Sequence, residues 1–314
     1  MLRPRKPRSL APGSGVSLVS PASTAKASTI ARGVRELRRL GWVPRRAAHK
    51  ERPDGYFSAS ASGRATELIS ALRNPRSDAV ICMRGGYGSA EIIEAVAQAR
   101  GLRQKLLIGF SDITSLQVFL WQRWGWVTLY GPMVAVHFDG GADKRHGFDF
   151  ASLASAVSVT RGGWHIPLRG ECMVRGSAHG RVLGGCATLL ETTIGTPWEF
   201  DARDAILLLE DTEIQPYQLD RLLLHLRQAG KFKGVRGIVL GEFPGAGSSR
   251  AGITIADVCV RRLGDLGVPI LFGAPVGHTP RAMLTIPLGV SAHLDTSGEG
   301  ALDILEPAVL PREG

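Results

Sequence analysis

The sequence contains no CxxC pair, no HExxH and no apolar run of the roughly 18 to 20 residues that a membrane helix needs. Its four cysteines, Cys82, Cys172, Cys186 and Cys259, stand singly, which excludes a disulfide framework and a cysteine-based zinc site. None of the eight histidines is paired with a carboxylate at i, i+4, so the residues call for no metal and no other cofactor. Acids are scarce at the start: from Arg3 to Lys50 twelve cations stand against Glu36 alone. That imbalance could hold a phosphate backbone, but arginine outnumbers lysine along the whole chain, so it reads as a solvated basic face and not as a nucleic-acid site. The basic start runs into Pro, Gly and Ser instead of a continuous apolar stretch, unlike a secretory leader, and a cytoplasmic location is expected.

What is present is globular. A hydrophobic content of 44% and a charged content of 21% over 314 residues support a real core, and that length suggests two domains. Residues 1 to 9 read as a frayed basic tail. From Gly15, apolar runs alternate with helical spacing: Val16–Val19, a helix over Thr29–Leu40, a helix near Ala65–Leu72, Ala79–Met83, a helix over Ala90–Ala99, and Lys105–Phe110. Strands alternating with helices imply a parallel, doubly wound sheet over residues 10–165. A polar, Gly-rich stretch around residues 161–180 marks the boundary, and a smaller mixed α/β domain is expected over residues 176–314.

Three strand ends carry candidate chemistry. Ser111 follows the strand ending at Gly109 and Phe110, and a helix starts at once, as in a nucleophile elbow, although Ile113 stands where GxSxG needs its second Gly. The spacing fits an exposed nucleophile and a helix N-cap at Ser111 or Asp112 equally well. The turn Arg84-Gly85-Gly86-Tyr87-Gly88 lacks GxGxxG order; it suits backbone donors for an oxyanion or a carboxylate, or a tight turn. Glu210 opens the acidic cluster Glu210-Asp211-Thr212-Glu213 after a strand, where a solvated loop is the simpler reading, and His278 follows Pro275-Val276-Gly277. A serine, an acid and a histidine in that chain order match one known arrangement of a hydrolytic triad.

Taken together, the pieces resemble the LD-carboxypeptidase family of serine peptidases, which includes muramoyltetrapeptide carboxypeptidases and microcin C self-immunity proteins. The matching stretches are Leu10-Ala11-Pro12-Gly13 with Val19-Ser20-Pro21-Ala22-Ser23, Arg84–Gly88, Gly109-Phe110-Ser111-Asp112, Tyr130-Gly131-Pro132-Met133, Gly184-Gly185, Ile194–Trp198, Leu209-Glu210-Asp211, Val239-Leu240-Gly241 and Gly277-His278. The resemblance implies Ser111 as nucleophile, His278 as general base, Glu210 as the acid that orients it, and the N–H groups of Asp112 and Gly86 as the oxyanion hole. It also implies a Rossmann-like, flavodoxin-like first domain, a site between domains, a homodimer, and cleavage of the L,D-peptide bond to the terminal D-Ala of a murein tetrapeptide during peptidoglycan recycling. Arg84 and Arg221 are candidates for the substrate carboxylate. Two departures bear on substrate choice: Cys186 stands where members commonly have Asn, and Gln218 where some carry Arg. The alternatives are a microcin-immunity-like hydrolase of peptidyl or aminoacyl nucleotides, and a non-catalytic protein that binds an anionic ligand. No stretch of the sequence announces an aromatic platform for a base, which favours the murein reading.

Overall fold

The computed structural model describes residues 2–46, 53–160, 162–247 and 252–312, so His49, Lys50 and Arg161 lie outside the described residues. In chain order the elements are β1 (Gly15–Val19), α1 (Ala27–Arg39), β2 (Val43–Arg46), α2 (Ala61–Arg73), β3 (Ala79–Cys82), α3 (Ile93–Gln98), β4 (Leu106–Gly109), α4 (Thr114–Trp124), β5 (Thr128–Tyr130) and α5 (Phe150–Val157). They continue with β6 (Trp164–Pro167), β7 (Glu171–Val174), β8 (Ser177–Cys186), α6 (Ala187–Glu191), β9 (Ala205–Glu210), α7 (Pro216–Gln228), β10 (Gly237–Leu240), α8 (Ile255–Leu263), β11 (Ile270–Phe272), β12 (Ile286–Leu288), β13 (Ser291–Asp295) and β14 (Ala301–Ile304).

The first sheet runs β2-β1-β3-β4-β5 with every pair parallel, and β12 adds antiparallel to β5. β1, β3 and β4 are buried along their whole length, as parallel strands covered on both faces must be, which explains their unbroken apolar runs. The strand order reverses between β1 and β3, so a crevice opens at the carboxyl ends of these strands. This is the flavodoxin-like arrangement. The second sheet has the order β6-β14-β13-β8-β9-β10-β11-β7; its centre, β8 to β11, is parallel and its flanks are antiparallel.

Helix α4 joins the two halves. Its residues 114 to 121 are buried on every side, because it packs among the first sheet, β8 and α6. Leu116, Phe119 and Leu120 belong to one apolar cluster and Val118 to another. Close approach here depends on Gly185 of β8, at φ 145°: a Cβ on it would sit 2.7 Å from Thr114 Oγ1 and 3.1 Å from the ring of Tyr130. The next amide, Cys186 N–H, donates to Thr114 Oγ1 at 3.1 Å and pins the contact.

The structure departs from the sequence expectations in three places. Residues 2–9 do not fray: Arg5 pairs with Trp126, Ser9 N–H donates to Leu310 O, Leu310 N–H donates to Pro7 O, and Lys6 meets Glu306. Residues 164–167 already belong to the second sheet, while residues 286–288 return from the far end of the chain to the first. The end of the polar, Gly-rich boundary stretch, residues 177–180, opens the ten-residue strand β8, which pairs with β13 on one side and β9 on the other.

Because Gly185 combines positive φ with contact on two sides, Gly185→Ala should destabilise the protein by about 2 kcal/mol or more. Chemical denaturation measures this; an unchanged midpoint would mean that β8 and α4 are not held this close.

Candidate active site

The crevice at the carboxyl end of β4 holds Ser111. Phe110 is extended at φ −153°, Ser111 turns to φ 61°, and the chain passes through one 3-10 turn, Ser111–Ile113, into α4. A non-glycine residue in this left-handed region is strained by roughly 1 to 2 kcal/mol, so the surroundings must hold it there. Gly85 does so by absence, since a Cβ on it would sit 2.9 Å from Ser111 Cβ and 3.0 Å from its Oγ. Neither Ser111 nor Asp112 caps α4 with its side chain. Asp112 instead ties the elbow to the glycine turn: its Oδ2 accepts Ser89 N–H at 2.8 Å, and its carbonyl accepts the Ser89 hydroxyl at 2.6 Å. Burial pushes the Asp112 carboxyl up, against the donors from Ser89 that lower it. The N-cap alternative for both residues is therefore set aside, and the partly exposed Ser111 hydroxyl is left without a hydrogen bond among the described residues.

The glycine turn after β3 faces the same space. Gly86, at φ 100°, lies against Ser23, whose Oγ accepts Tyr87 N–H at 3.1 Å, while Ser23 N–H donates to Gly85 O at 3.2 Å. No acceptor among the described residues takes up the amides of Gly86 or Asp112. Arg64 of α2, 1% exposed, braces the turn from beneath: Nη1 donates to Pro21 O at 2.9 Å and to Gly88 O at 2.5 Å, and Nη2 meets Glu91 at 2.5 Å. Its guanidinium also lies 4.5 Å from the Phe57 ring centroid. Phe57 in turn touches Tyr56 and Tyr87, both more than half or about half exposed, so three rings cluster beside Gly86. The sequence announced no such platform, because its members come from two segments thirty residues apart and no periodicity links them.

Glu210 ends β9 with no exposed surface. Its Oε2 accepts both His278 Nδ1–H at 2.8 Å and His278 N–H at 2.9 Å, and its Oε1 accepts the hydroxyl of Tyr130. Room for the carboxylate comes from two glycines: a Cβ on Gly277 would lie 2.3 Å from the Glu210 carboxyl carbon, and one on Gly241 would lie 2.5 Å from its Cβ. The simpler reading of this cluster as a solvated loop fails for Glu210, and for Asp211, which is buried and accepts Thr188 N–H at 2.9 Å. Burial pushes the His278 pKa down, but the charge and hydrogen bond of Glu210, with help from Asp211 and Glu213, outweigh it and leave the pKa raised.

The His278 ring packs edge-on against Phe110, with centroids 5.2 Å apart, which puts it beside the residue preceding Ser111. No hydrogen bond joins Ser111 Oγ to His278 among the described residues. Behind them sits His137, a residue the sequence reading missed; it is buried, packs on Phe110, and its Nε2 lies 3.1 Å from Gly277 O. Burial holds its pKa down. Tyr130 was noted in the sequence only as part of a matching stretch, and nothing there foretold its contact with Glu210.

The remaining candidates lie further out. Arg84 is exposed and donates to Thr24 O at 3.1 Å, whereas Arg221 is exposed on α7 without a hydrogen bond to any of the site residues. Arg281 is nearer His278 in sequence but already engaged with Glu242 at 2.7 Å. Gln218 closes the start of α7 by accepting Gln215 N–H at 2.8 Å, and Cys186 is buried beside Glu210 in the β8–β9 register. Among the described residues no group of three His, Cys, Asp or Glu is placed to hold a metal. A cavity of about 920 Å³ lined by His179, Arg181, Asp204 and Arg236 lies at the starts of β8 and β9, away from Cys186 and Glu210.

The His278–Glu210 pair sets a direct expectation. In an NMR titration the His278 ring should change charge above the ordinary histidine value of 6.5, and Glu210→Gln should bring the midpoint down, because burial then meets less opposition. An unchanged midpoint in that variant would show that the carboxylate does not govern the ring.

Comparison with known proteins bears on the family and the fold. The N-terminal domain model of the LD-carboxypeptidases matches residues 16–131, and the C-terminal domain model matches residues 179–294. A Streptomyces coelicolor protein provisionally named a carboxypeptidase is 36% identical over 97% of this chain and 97% of its own. Among solved structures, the muramoyltetrapeptide carboxypeptidase of Oxalobacter formigenes is 27% identical, with a TM-score of 0.78 over 93% of this chain and 99% of that one. The microcin C7 self-immunity protein shares the fold at a TM-score of 0.86 and 22% identity, over 98% of this chain and all of that one. With both domain models matched in order across its two sheets, this chain belongs to the LD-carboxypeptidase family.

Proposed function

We propose that this carboxypeptidase removes the terminal D-Ala from murein tetrapeptides by cleaving the L,D-peptide bond, with Ser111 as nucleophile, His278 as general base and Glu210 as the acid that orients the imidazole. The observation that carries the reading is the fully buried Glu210 carboxylate bonded twice to a partly exposed His278, whose ring packs on Phe110 next to the strained serine elbow. Glu210 accepts a hydrogen bond from Nδ1–H and so fixes the tautomer in which Nε2 is unprotonated and basic. As Ser111 Oγ attacks the carbonyl carbon of the L-centre, its proton passes to Nε2. The carbonyl oxygen becomes an oxyanion that the amides of Gly86 and Asp112 are free to stabilise. Collapse breaks the C–N bond, His278 returns the proton to the departing D-Ala amine, and water attacks the acyl-serine by the reverse proton path. No metal step is required.

The name of the Oxalobacter structure supports the murein substrate, and the immunity-protein structure supports the fold alone. The ring cluster of Tyr56, Phe57 and Tyr87 offers a face to a sugar ring or to a nucleobase, so it withdraws the sequence argument against a nucleotide substrate without reversing the choice. Of the two candidates for the terminal carboxylate, Arg84 is taken before Arg221, because it follows β3 in the glycine turn that carries Gly86. The same proposal takes the enzyme as a cytoplasmic homodimer, on the family resemblance; light scattering tests the dimer.

Ser111→Ala and His278→Ala should each cut turnover roughly 10⁴-fold or more with the fold retained, while Glu210→Gln keeps a residual rate. Release of D-Ala from murein tetrapeptide is the assay, and near-normal release by Ser111→Ala would end the assignment. An aminoacyl sulfamoyl adenylate hydrolysed with higher kcat/KM than the tetrapeptide would move the substrate to the nucleotide class and leave the triad standing. Since attack needs a neutral imidazole and the His278 pKa is raised, kcat/KM should climb with pH through a midpoint above 6.5. A profile flat from about pH 5 to 8 would contradict that base.

A further inference from the structure

Tyr130 closes β5 in the first sheet, yet its hydroxyl reaches Glu210 at the end of β9 in the second. The polarity of its two hydrogen bonds is forced. Ser111 N–H can only donate, so the Tyr130 oxygen accepts it, at 3.3 Å; an ionised carboxylate can only accept, so the Tyr130 O–H points at Glu210 Oε1. The result is one directed path, from the nucleophile's amide through the phenol to the acid, whose other oxygen holds His278. Tyr130 has no exposed surface, and β8 packs closely on its ring: a Cβ on Gly185 would lie 3.1 Å from it. Burial, then the charge of Glu210, keeps the phenol protonated far above the working range, so the donor is always present.

We propose that Tyr130 is a positioning residue of this active site: its hydroxyl holds the Glu210 carboxylate and the Ser111 backbone in one register across the two sheets. The inference rests on the assignment of Ser111, His278 and Glu210 made above. It has a chemical consequence that a purely structural tyrosine would not have. Glu210 is most in need of a donor when His278 is neutral, because the carboxylate is then an uncompensated buried charge. Taking the phenol donor away should thus favour protonated His278 and move the acid limb of kcat/KM to higher pH; a stronger phenol donor should move it to lower pH. The other titratable groups facing the pair are Asp211 and Glu213 on its acidic side, Cys186 on β8 and His137 behind the ring; all are present in every variant, so they do not produce the shift.

Two variants read this out. Tyr130→Phe keeps the ring and should lower kcat about 10- to 100-fold with KM nearly unchanged, and shift the acid limb upward. The second replaces Tyr130 by 3-fluorotyrosine, whose phenol is more acidic, in a chain whose other three tyrosines, Tyr56, Tyr87 and Tyr217, are Phe; its unfluorinated twin is the reference. There the acid limb should shift downward with the melting temperature held. A lowered kcat with the limb unmoved in both variants would reduce Tyr130 to a packing residue and overturn the inference. If instead Ser111→Ala retained activity, the underlying assignment would fail first, and that outcome is distinguishable because it does not involve Tyr130.

Discussion

A carboxylate with no exposed surface has to be satisfied entirely by the protein, and the geometry around Glu210 follows from that requirement. It needs donors on both oxygens, which brings the His278 backbone and ring to one and the Tyr130 hydroxyl to the other. It needs space, so glycines stand at 241 and 277, where any side chain would overlap it. It needs the two sheets close together, because Tyr130 belongs to one and Glu210 to the other; Gly185 permits that approach and the Cys186 amide on Thr114 fixes it. Removing any of these would leave a buried charge short of a partner, a far larger cost than an ordinary surface ion pair is worth.

The serine side of the crevice is arranged by different means. Its constraint is steric: a left-handed Ser111 between Gly85 and Gly109, with Ile113 pressed against the latter. Asp112 and Ser89 lock this elbow to the turn that carries Gly86, and Arg64 braces that turn through Pro21 and Gly88. The two unbonded amides thus sit on a rigid frame, which is what electrostatic stabilisation of a developing oxyanion demands. Flexibility there would weaken the effect by letting the donors follow the ground state.

Much of this was legible in the residues. Unbroken apolar runs such as Leu106–Ile108 declared buried parallel strands, whereas the strand, one intervening residue and immediate helix around Ser111 fitted an elbow and a helix N-cap equally well. Glu210 and His278 were legible only as strand-end residues in the right order, and it was the family resemblance that gave them roles. What stayed hidden depends on contacts distant in sequence. Tyr130 ends a three-residue strand whose only signal is its own sheet, and its partner lies 80 positions away. The return of β12 to the first sheet, the docking of residues 2–9 against 125 and 310, and the ring cluster from residues 56, 57 and 87 are likewise set by tertiary packing, which leaves no periodic trace.

The account stands or falls on whether the strained serine is the residue that bonds covalently to substrate. The most direct measurement is to treat the protein with a serine-reactive peptidyl phosphonate ending in D-Ala and to map the adduct by mass spectrometry. One phosphonyl group per chain on Ser111, formed more slowly when His278 is replaced, is the predicted result. A fully active protein that takes no label, or a label that maps to a different residue, would contradict it.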